Sequence, residues 1–573
     1  MSDQRSWKCN QKNQTRLHFL WILFLCCFLL AIIAGCASED KIFDTTAPSS
    51  PETGLPEAVY SIVPNAHSTM ALAGSSKAGG FVPEPQAPYP GQYSPDYNTE
   101  EYDRIVDNPF LKALDNPVST FSIDVDTASY SNLRRYLMED YELPPKDVVR
   151  IEEMLNYFEY DYPDAVGDHP VNAQFALSPA PWNSEHLLFR VAIAAKKIPT
   201  DDLPASNLVF LIDSSGSMYD DNKLPLLKRS MRIMAEQLRP QDRVSIVAYA
   251  GSAGLVLEST PGNKKEKILA AFDSLEAGGS TAGGEGIQLA YRIARENFIS
   301  GGNNRVILCT DGDFNVGVSS TSELERLIED KRKDNIYLTV LGVGVGNYKD
   351  SRMETLADKG NGNYAYIDTL MEANKVLGKE IWGNLFAVAK DVKIQIEFNP
   401  STVREYRLIG YENRLLARED FNDDTKDAGE MGSGQTVTAF YELVPPQAAP
   451  TGIVSPDPLV FQNTNLVPSD DLAVFRLRYK EPDDGAEESK LVETRLNATT
   501  LIKPLAESDE DFRFATAVAE FGMLLRDSPY KGEASWSAVL ERAQNSKGKD
   551  YEGYRAEFIR LVEMASIIAN SDK

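Results

Sequence analysis

The sequence predicts an α/β protein in which a doubly wound sheet is inserted in a flanking β-sandwich-like domain that also carries helical N- and C-terminal segments. Between residues 207 and about 386, apolar strand-like runs alternate with amphipathic stretches, which is the pattern of a doubly wound sheet. Segments with a two-residue period stand on both sides of this unit. Because the upstream segments are too few for a stable sheet, we expect them to pair with the downstream ones.

Within the α/β unit, strands are predicted where short apolar runs meet turn residues. The predicted strands are 208–213, 244–250, 254–258, 306–310 and 337–345. The second and third are so close in sequence that they should form an antiparallel hairpin. A stripe of apolar side chains at helical spacing is expected to be core rather than a cofactor site. Its members are Leu224, Leu227, Met231, Met234 and Leu238.

The flanking segments contain both helices and strands. Residues 129–160 have helical apolar spacing interrupted by Pro144-Pro145, which predicts two helices, and strand patterning follows over 173–196. Residues 511–568 are predicted to be helical and to pack near the helices of 129–160. Strands with a two-residue period are predicted at 392–398, 406–411, 436–444 and 472–479.

The first 35 residues have the features of a secretory signal, because basic residues precede an apolar run at 19–33 and small residues follow it. The run is near the short end for a membrane span. Residues Ile33-Ala34-Gly35-Cys36 resemble the bacterial lipobox, which implies cleavage before Cys36 and acyl chains such as palmitate on that residue. The alternative is an uncleaved anchor. Ala37 follows the cysteine, which favours the outer membrane in a host that has one.

Composition divides the chain further. Residues after Cys36 are rich in Pro, Ser and Gly, and this composition predicts a disordered tether. The predicted divisions are a lipoprotein signal peptide (1–35), the tether (36–97), an N-terminal helical and β flanking domain (98–200), the α/β domain (201–386) and a C-terminal β then helical domain (387–573).

Charge and cysteine content exclude some functions. The formal charge of -27 makes nucleic acid a poor partner. Of five cysteines, three lie in the signal and Cys36 is the predicted lipidation site, so only Cys309 remains as a thiol. No intramolecular disulfide is then possible in the mature chain. Cys309 lies in an apolar run, and we expect it to be a small core residue.

The segment from Asp213 to Ser217 places a carboxylate and two hydroxyls at alternate positions, where an apolar strand ends and a helix begins. Hydroxyl and carboxylate oxygens are hard ligands that suit Mg²⁺. Ligands bind outside the carboxyl ends of parallel strands, where side chains at the ends of successive βα units meet. Helix capping is the alternative use of such residues. The candidate metal ligands are Asp213, Ser215, Ser217, Thr281 and Asp311.

An Asp-x-Ser-x-Ser string followed by a Thr and an Asp resembles the metal-ion-dependent adhesion site (MIDAS) of von Willebrand factor type A (VWA) domains. The segments 310–317 and 521–530 extend the resemblance to a bacterial family of VWA lipoproteins, over nearly everything after residue 97. The resemblance implies the Rossmann-like VWA fold and a location in the cell envelope.

The resemblance also implies a role for each residue of the site. Ser215 and Ser217 would be direct ligands of Mg²⁺ or Mn²⁺, and Thr281 would coordinate directly or through water according to state. Asp213 and Asp311 would act mainly through bound waters. The open coordination position would then take an Asp or Glu carboxylate from a protein partner.

The favoured function is therefore metal-dependent binding of a protein by a lipid-anchored envelope protein, as an adhesion or assembly scaffold, and not an enzyme. The first alternative is a structural envelope protein whose metal only stabilises the fold. The second is an envelope hydrolase. Against the hydrolase, only His169 and His186 remain in the folded part, no Gly-x-Ser-x-Gly or Walker A sequence is present, and Ser215 has no evident base.

Three further acidic features are assigned local roles. Asp313 is interpreted as a solvated turn residue rather than part of the metal site. Asp124-x-Asp126 lacks the rest of an aspartyl phosphatase pattern, so helix capping by Asp126 or Thr127 is expected. An acidic loop without EF-hand spacing leaves a Ca²⁺ site as the less favoured alternative; its members are Asp420, Asp423, Asp424, Asp427 and Glu430.

Overall fold

The computed structural model describes residues 102–571 except 166, 281–282, 313–320, 346–349, 427, 454–465 and 483–487. The predicted signal sequence, Cys36 and the tether lie outside these residues, as do Thr281, Asp313 and Asp427. All described residues fall within one unit, residues 91–573. In the part of the chain that the structure describes, no helix combines the length and apolarity that a membrane crossing requires.

Sixteen strands and thirteen α-helices of the described residues are labelled in chain order. The strands are β1 (Leu111–Lys112), β2 (Val118–Ser122), β3 (Val171–Ala180), β4 (Asn183–Ala195), β5 (Ser206–Asp213), β6 (Arg243–Tyr249), β7 (Ala253–Pro261), β8 (Asn303–Thr310), β9 (Tyr337–Val343), β10 (Tyr364–Ile367), β11 (Ala387–Phe398), β12 (Glu405–Ile409), β13 (Gly429–Gly432), β14 (Thr436–Val444), β15 (Asp471–Lys480) and β16 (Lys490–Asn497). The helices are α1 (Ala128–Arg135), α2 (Ile151–Asn156), α3 (Leu224–Gln237), α4 (Lys265–Asp273), α5 (Gly283–Glu296), α6 (Thr321–Lys333), α7 (Asp350–Lys359), α8 (Leu370–Ala373), α9 (Ile381–Leu385), α10 (Ala498–Leu501), α11 (Glu510–Leu525), α12 (Trp536–Asn545) and α13 (Tyr554–Ser571).

The α/β unit has a six-stranded sheet in the order β10-β9-β8-β5-β6-β7. All pairs are parallel except β6 with β7, which form the predicted antiparallel hairpin. Every residue of β5 and β8 is buried, because helices cover both faces of the sheet. The predicted apolar stripe is core, although its last member, Leu238, lies just beyond the end of α3. Cys309 is buried in β8, and burial raises the pKa of its thiol.

The flanking strands form two antiparallel sheets that enclose a second core. One sheet has the order β1-β12-β14-β4-β3, and the other has β13-β11-β15-β16 with β2 beside β11. The upstream strand β4 pairs with the downstream strand β14, and β2 pairs with β11. Strands from before and after the α/β unit therefore share both sheets, so the predicted fold class, an α/β VWA-type unit inserted in a flanking β-domain, is confirmed.

A helical layer packs on one of these sheets. The C-terminal helices α11, α12 and α13 share a core with α1 and α2, as predicted. Aromatic rings make much of this contact: Phe514 lies between Phe158 and Phe558, with ring centroids 5.0 and 5.3 Å away. Aromatic side chains bury large areas, so this cluster fixes the helical ends of the chain to one another.

The α/β unit is attached to the flanking parts by buried ion pairs. Arg134 of α1 binds Asp368 and Glu372, which lie at the end of β10 and in α8, and also Glu557 of α13, each at 2.7 Å. Arg414 of the flanking domain binds α7 through Glu354 at 2.7 Å. These arginines join the separate segments of the chain through charge-assisted hydrogen bonds.

The expected capping role of the Asp124-x-Asp126 segment is wrong. Thr127 is the N-cap residue of α1 but its side chain makes no capping hydrogen bond. Asp126 instead accepts a hydrogen bond from the backbone N–H of Tyr364 at 2.9 Å and lies 3.5 Å from Arg414. Tertiary packing brings the first amide of β10 and the guanidinium of Arg414 to this buried carboxyl group, so its hydrogen bonds are made there and not at the N-terminus of α1.

The acidic loop has local hydrogen-bonding roles. Asp420 accepts from the backbone of Ala417, and Asp423 accepts from Thr425. Asp424 accepts from the backbone of Ser489. Among the described residues, which leave out Asp427, no three His, Cys, Asp or Glu side chains are grouped to hold a metal ion.

Candidate metal centre

Asp213 is the last residue of β5, at the carboxyl edge of the central strands. Its Oδ1 accepts a hydrogen bond from the backbone N–H of Ser215 at 2.9 Å. Its Oδ2 accepts from the hydroxyl groups of Tyr249 at 3.0 Å and Thr310 at 3.2 Å. Tyr249 and Thr310 are the last residues of the neighbouring strands β6 and β8. The register of three parallel strands therefore fixes this carboxylate directly behind the loop that follows β5.

The two serines of the motif lie in that loop. After Asp213 the chain turns into a 3₁₀ segment, Gly216–Tyr219, which is anchored by the fully buried side chain of Met218. The hydroxyl oxygens of Ser215 and Ser217 lie 3.0 Å apart. Each hydroxyl has lone pairs for a shared cation. The local fold thus brings the two predicted direct ligands side by side.

The loop that precedes Thr281 is hydrogen-bonded to the serine loop. The backbone N–H of Gly278 donates to the carbonyl of Ser214 at 2.8 Å, and that of Gly216 donates to the carbonyl of Gly279 at 3.0 Å. Gly279 has a φ of 82°, which favours glycine at this close approach. Thr281 itself lies outside the described residues, and its predicted role as a ligand stays a prediction.

Asp311 directly follows β8, the strand that pairs with β5. Its side chain is buried, and its Oδ2 accepts a hydrogen bond from the ammonium group of Lys223 at 3.0 Å. Asp311 directly follows Thr310, the residue that hydrogen-bonds Asp213. Asp213, Ser215, Ser217 and Asp311 therefore lie at one edge of the sheet, as their positions at strand ends predicted.

Burial shapes the electrostatics of the site. It raises the pKa of Asp213 to about 6, and the nearby charge of Asp311 acts in the same direction. Hydrogen bonds from Ser215 and Tyr249 oppose this rise because they stabilise the charged form. Burial also raises the pKa of Tyr249 well above its ordinary value, so this phenol remains a hydrogen-bond donor. A cation beside Asp213 would favour the ionised carboxylate.

These residues fit a divalent cation by their chemistry. Two neutral hydroxyls and two carboxylates are oxygen donors of the kind that Mg²⁺ and Mn²⁺ prefer. With only two carboxylates at the sheet edge, the site depends on Ser215 and Ser217 for its remaining protein ligands.

Sequence reasoning missed three residues of this site. Tyr249 and Thr310 were assigned only to strands, yet their hydroxyls hold Asp213. Lys223 was not singled out at all. One signal was available for it: a lysine immediately before an apolar helix is unusual, because the helix N-terminus favours negative charge.

Family models match most of the folded chain. The model of the von Willebrand factor type A domain matches residues 207–379. The model described as von Willebrand factor matches residues 96–190, and the model described as uncharacterized protein YfbK, C-terminal, matches residues 383–568. VWA domains commonly bind a divalent metal at a MIDAS and often mediate protein–protein interactions.

Similar proteins occur in bacteria. The uncharacterized protein YfbK of Escherichia coli (strain K12) is 46% identical over 479 residues, which are 82% of this chain and 81% of that protein. The uncharacterized protein sll0103 of Synechocystis sp. is 30% identical over 199 residues, which are 34% of this chain and 44% of that protein.

One solved structure with partial likeness is a von Willebrand factor type A protein from Catenulispora acidiphila. It is 17% identical, with a TM-score of 0.38, and the match covers 72% of this chain and 89% of that one. Another is the ArnB paralog VWA2 from Sulfolobus acidocaldarius, with 14% identity, a TM-score of 0.33, and coverage of 70% of this chain and 98% of that one. Both TM-scores are low, and neither structure bears on function. From the family models and the identity to the Escherichia coli protein, the chain belongs to the bacterial family of von Willebrand factor type A domain proteins that carry the YfbK C-terminal domain.

Proposed function

We propose that this protein captures a protein partner in the cell envelope through a divalent cation, Mg²⁺ or Mn²⁺. The ligands in this proposal are Asp213, Ser215, Ser217, Thr281 and Asp311. The observation that carries it is the paired hydroxyls of Ser215 and Ser217, 3.0 Å apart, in front of the fixed carboxylate of Asp213. Hydroxyls placed together at the end of a buried strand are suited to a shared cation.

The protein residues prepare the site in distinct ways. Ser215 and Ser217 supply neutral ligands, so these two residues compensate none of the charge of the cation. Asp213 is held by its hydrogen bonds and orients water in the site. When bound, the cation would supply a positive charge and an open coordination position for an Asp or Glu carboxylate of the partner. The proposed specificity is therefore for an acidic side chain on an exposed segment of another protein.

The proposed location rests on the N-terminal sequence. Lipid on Cys36 would anchor the mature protein, and the absence of Asp at position 37 favours the outer membrane. Multiple acyl chains give stable membrane attachment. A flexible tether of about 60 residues has a root-mean-square span of roughly 45 Å. The binding domain would then reach a partner well away from its own membrane.

Binding is preferred to catalysis because of the hydrogen-bond partners of the candidate groups. The hydroxyl of Ser215 contacts that of Ser217, and the carboxylate beside it, Asp213, already accepts hydrogen bonds from Tyr249 and Thr310. In the part of the chain that the structure describes, the two histidines lie in the flanking domain, where His169 contacts Tyr479 and His186 contacts Glu442. A nucleophilic serine needs an adjacent base, so these contacts support a binding role for the site.

The proposal is tested first with metal alone. Mn²⁺ is titrated calorimetrically into the lipidated full-length protein in detergent, into Ser215→Ala and Ser217→Ala, and into Ser300→Ala as a control at an exposed serine before β8. We expect saturable binding for the wild type and the control. Loss of one direct ligand should lower the affinity at least tenfold. Undiminished affinity in both serine variants would contradict the proposed site.

The alternative, in which metal only stabilises the fold, makes a different prediction. It expects Mn²⁺ to raise the melting temperature of the protein. The amount of envelope protein that the immobilised protein retains should then be the same with and without metal. Our proposal expects both melting temperature and retention to depend on metal. Comparing the two readouts on the same preparation separates these functions.

A further inference from the structure

A buried lysine lies beside the candidate metal centre. Lys223 directly precedes α3, and its Nζ is 3.0 Å from Oδ2 of Asp311. The side chains of the two residues are only 5% and 0% exposed. Lysine is almost never this buried unless its charge is paired. The ion pair is therefore a built part of the site rather than a surface contact.

The fold holds this lysine against an unfavourable field. The N-terminus of α3 repels a positive charge, and removing an ammonium from water has a high cost. Space for the side chain comes from Gly344, just beyond β9, whose φ is 79°. A Cβ at Gly344 would lie 2.4 Å from Cγ and 2.5 Å from Cε of Lys223. The carbonyl of Gly344 is also fixed, because it accepts a hydrogen bond from Tyr366 at 2.7 Å.

The ion pair changes the charge of the site. Asp213 and Asp311 together carry two negative charges when ionised, and Lys223 cancels one of them. A divalent cation added to these three groups leaves a net charge of about one positive unit. Without the lysine, the two carboxylates would neutralise the cation completely. The lysine therefore decides whether the loaded site still attracts an anion.

We propose that Lys223 is a specificity-determining residue of the metal centre, and that its fixed charge makes the loaded site select a carboxylate from the partner. This inference rests on the proposed metal-dependent function and adds the source of its preference for acidic ligands. Lys223 touches Asp311 rather than the partner, so it acts at short range through charge. The charge of Lys223 lowers the affinity of the site for the metal and raises the affinity of the loaded site for the acidic ligand.

Two substitutions remove the charge in different ways. Lys223→Met keeps an apolar chain beside Gly344 and leaves Asp311 without its ammonium partner. Lys223→Gln keeps an N–H donor for Asp311 but carries no charge. If charge is what matters, both variants should bind Mn²⁺ about tenfold more tightly, because one unit charge at this range changes an ionic interaction by roughly that factor. Lys267→Met, at an exposed position of α4, is the matched control.

Acetate is the carboxylate probe. Free Mn²⁺ is measured by electron paramagnetic resonance to give the metal affinity of the full-length protein in detergent. Acetate is then titrated into the Mn²⁺-loaded protein, and its binding is followed by the loss of water-proton relaxation. We expect the wild type and Lys267→Met to bind acetate alike. Both Lys223 variants should bind it about tenfold more weakly.

The outcomes separate the inference from the function on which it rests. Tighter Mn²⁺ and weaker acetate in both Lys223 variants would support the inference. Wild-type values for either ligand, or weaker Mn²⁺ binding, would overturn it while leaving the proposed function in place. Failure of both variants to fold even with Mn²⁺ would assign Lys223 a structural role and also overturn it. A wild-type protein that binds no Mn²⁺ would overturn the proposed function itself.

Discussion

The hydroxyl group of Tyr249 donates a hydrogen bond of 3.0 Å to the carboxylate of Asp213, and so joins the ends of β6 and β5. Removing this donor in Tyr249→Phe should lower Mn²⁺ affinity severalfold, because Asp213 would lose a contact that orients it. The free energy of unfolding should fall by about 1 kcal/mol. Tyr219→Phe is the control, since Tyr219 lies two residues after Ser217 but its side chain is 78% exposed. Equal Mn²⁺ affinity in the two variants would contradict the assigned role of Tyr249.

Thr281 is predicted to coordinate the metal directly only when a carboxylate is bound. The Thr281→Ala protein should therefore keep most of its affinity for Mn²⁺. Its Mn²⁺-loaded form should bind acetate about tenfold more weakly, because one ligand of the acetate-bound state is lost. Calorimetry and water-proton relaxation give the two numbers separately. An equal loss of both affinities would exclude the switch and make Thr281 an ordinary ligand.

The contact between α7 and the flanking domain should respond to pH. Burial, and next the charge of Asp124, raise the pKa of Asp358 from 3.8 to about 7, although Arg414 opposes the shift. Asp126 and Glu354 also face this group of charges. Because the pKa of Asp358 is higher in the folded state, protonated Asp358 adds to the free energy of unfolding. This contribution is complete below pH 3.8 and is lost as the pH rises through 7.

The matching substitution is Asp358→Asn, which stays neutral at every pH. Urea unfolding at several pH values between 4 and 8 should show a smaller fall in unfolding free energy for this variant than for the wild type. Asp330→Asn changes an exposed carboxylate of α6 and should follow the wild-type curve. A wild-type slope in Asp358→Asn would show that other groups cause the pH dependence.

Arg134 should be essential for attaching the α/β unit to the helical layer. Arg134→Met leaves the carboxylates of Asp368, Glu372 and Glu557 without their shared partner. Breaking a buried ion pair costs about 3–5 kcal/mol, which chemical denaturation can measure. Arg232→Met removes an exposed pair with Asp273 and should cost about 1 kcal/mol or less. Similar losses in the two variants would refute this role of the buried cluster.

Anchoring is predicted to depend on Cys36. The Cys36→Ala protein should lack acyl chains by intact mass spectrometry and should leave the membrane fraction. A variant that stays membrane-bound and unprocessed would instead identify the N-terminal segment as an uncleaved anchor.

The parts of the fold that the sequence predicts well are those with strong local patterns. β5 and β8 contain continuous apolar runs, and apolar and polar residues alternate over 392–398 of β11, so each strand is predicted near its observed position. β10 has only four residues and β16 is an exposed, largely polar strand, so neither has a clear pattern. These two strands depend on pairing with neighbours rather than on their own sequence.

The candidate site shows the same division. Asp213, Ser215 and Ser217 stand close together in sequence, so their spacing reveals them. Lys223 and Asp311 are 88 residues apart, and only the folded sheet brings them together. The same holds for Arg414. Its partners lie in the segment after β2 and on α7, which are distant from it in sequence. Such contacts come from tertiary packing and leave no periodic signal along the chain.

Capture of envelope proteins tests the central claim most directly. Wild-type protein and the Ser215→Ala and Ser300→Ala variants are immobilised and exposed to envelope extract with Mg²⁺ or with EDTA, and retained proteins are identified by mass spectrometry. We predict that the wild type and Ser300→Ala retain the same protein with Mg²⁺ and release it in EDTA, whereas Ser215→Ala retains none of it. Equal retention in EDTA, or by Ser215→Ala with Mg²⁺, would contradict a metal-bridged partner.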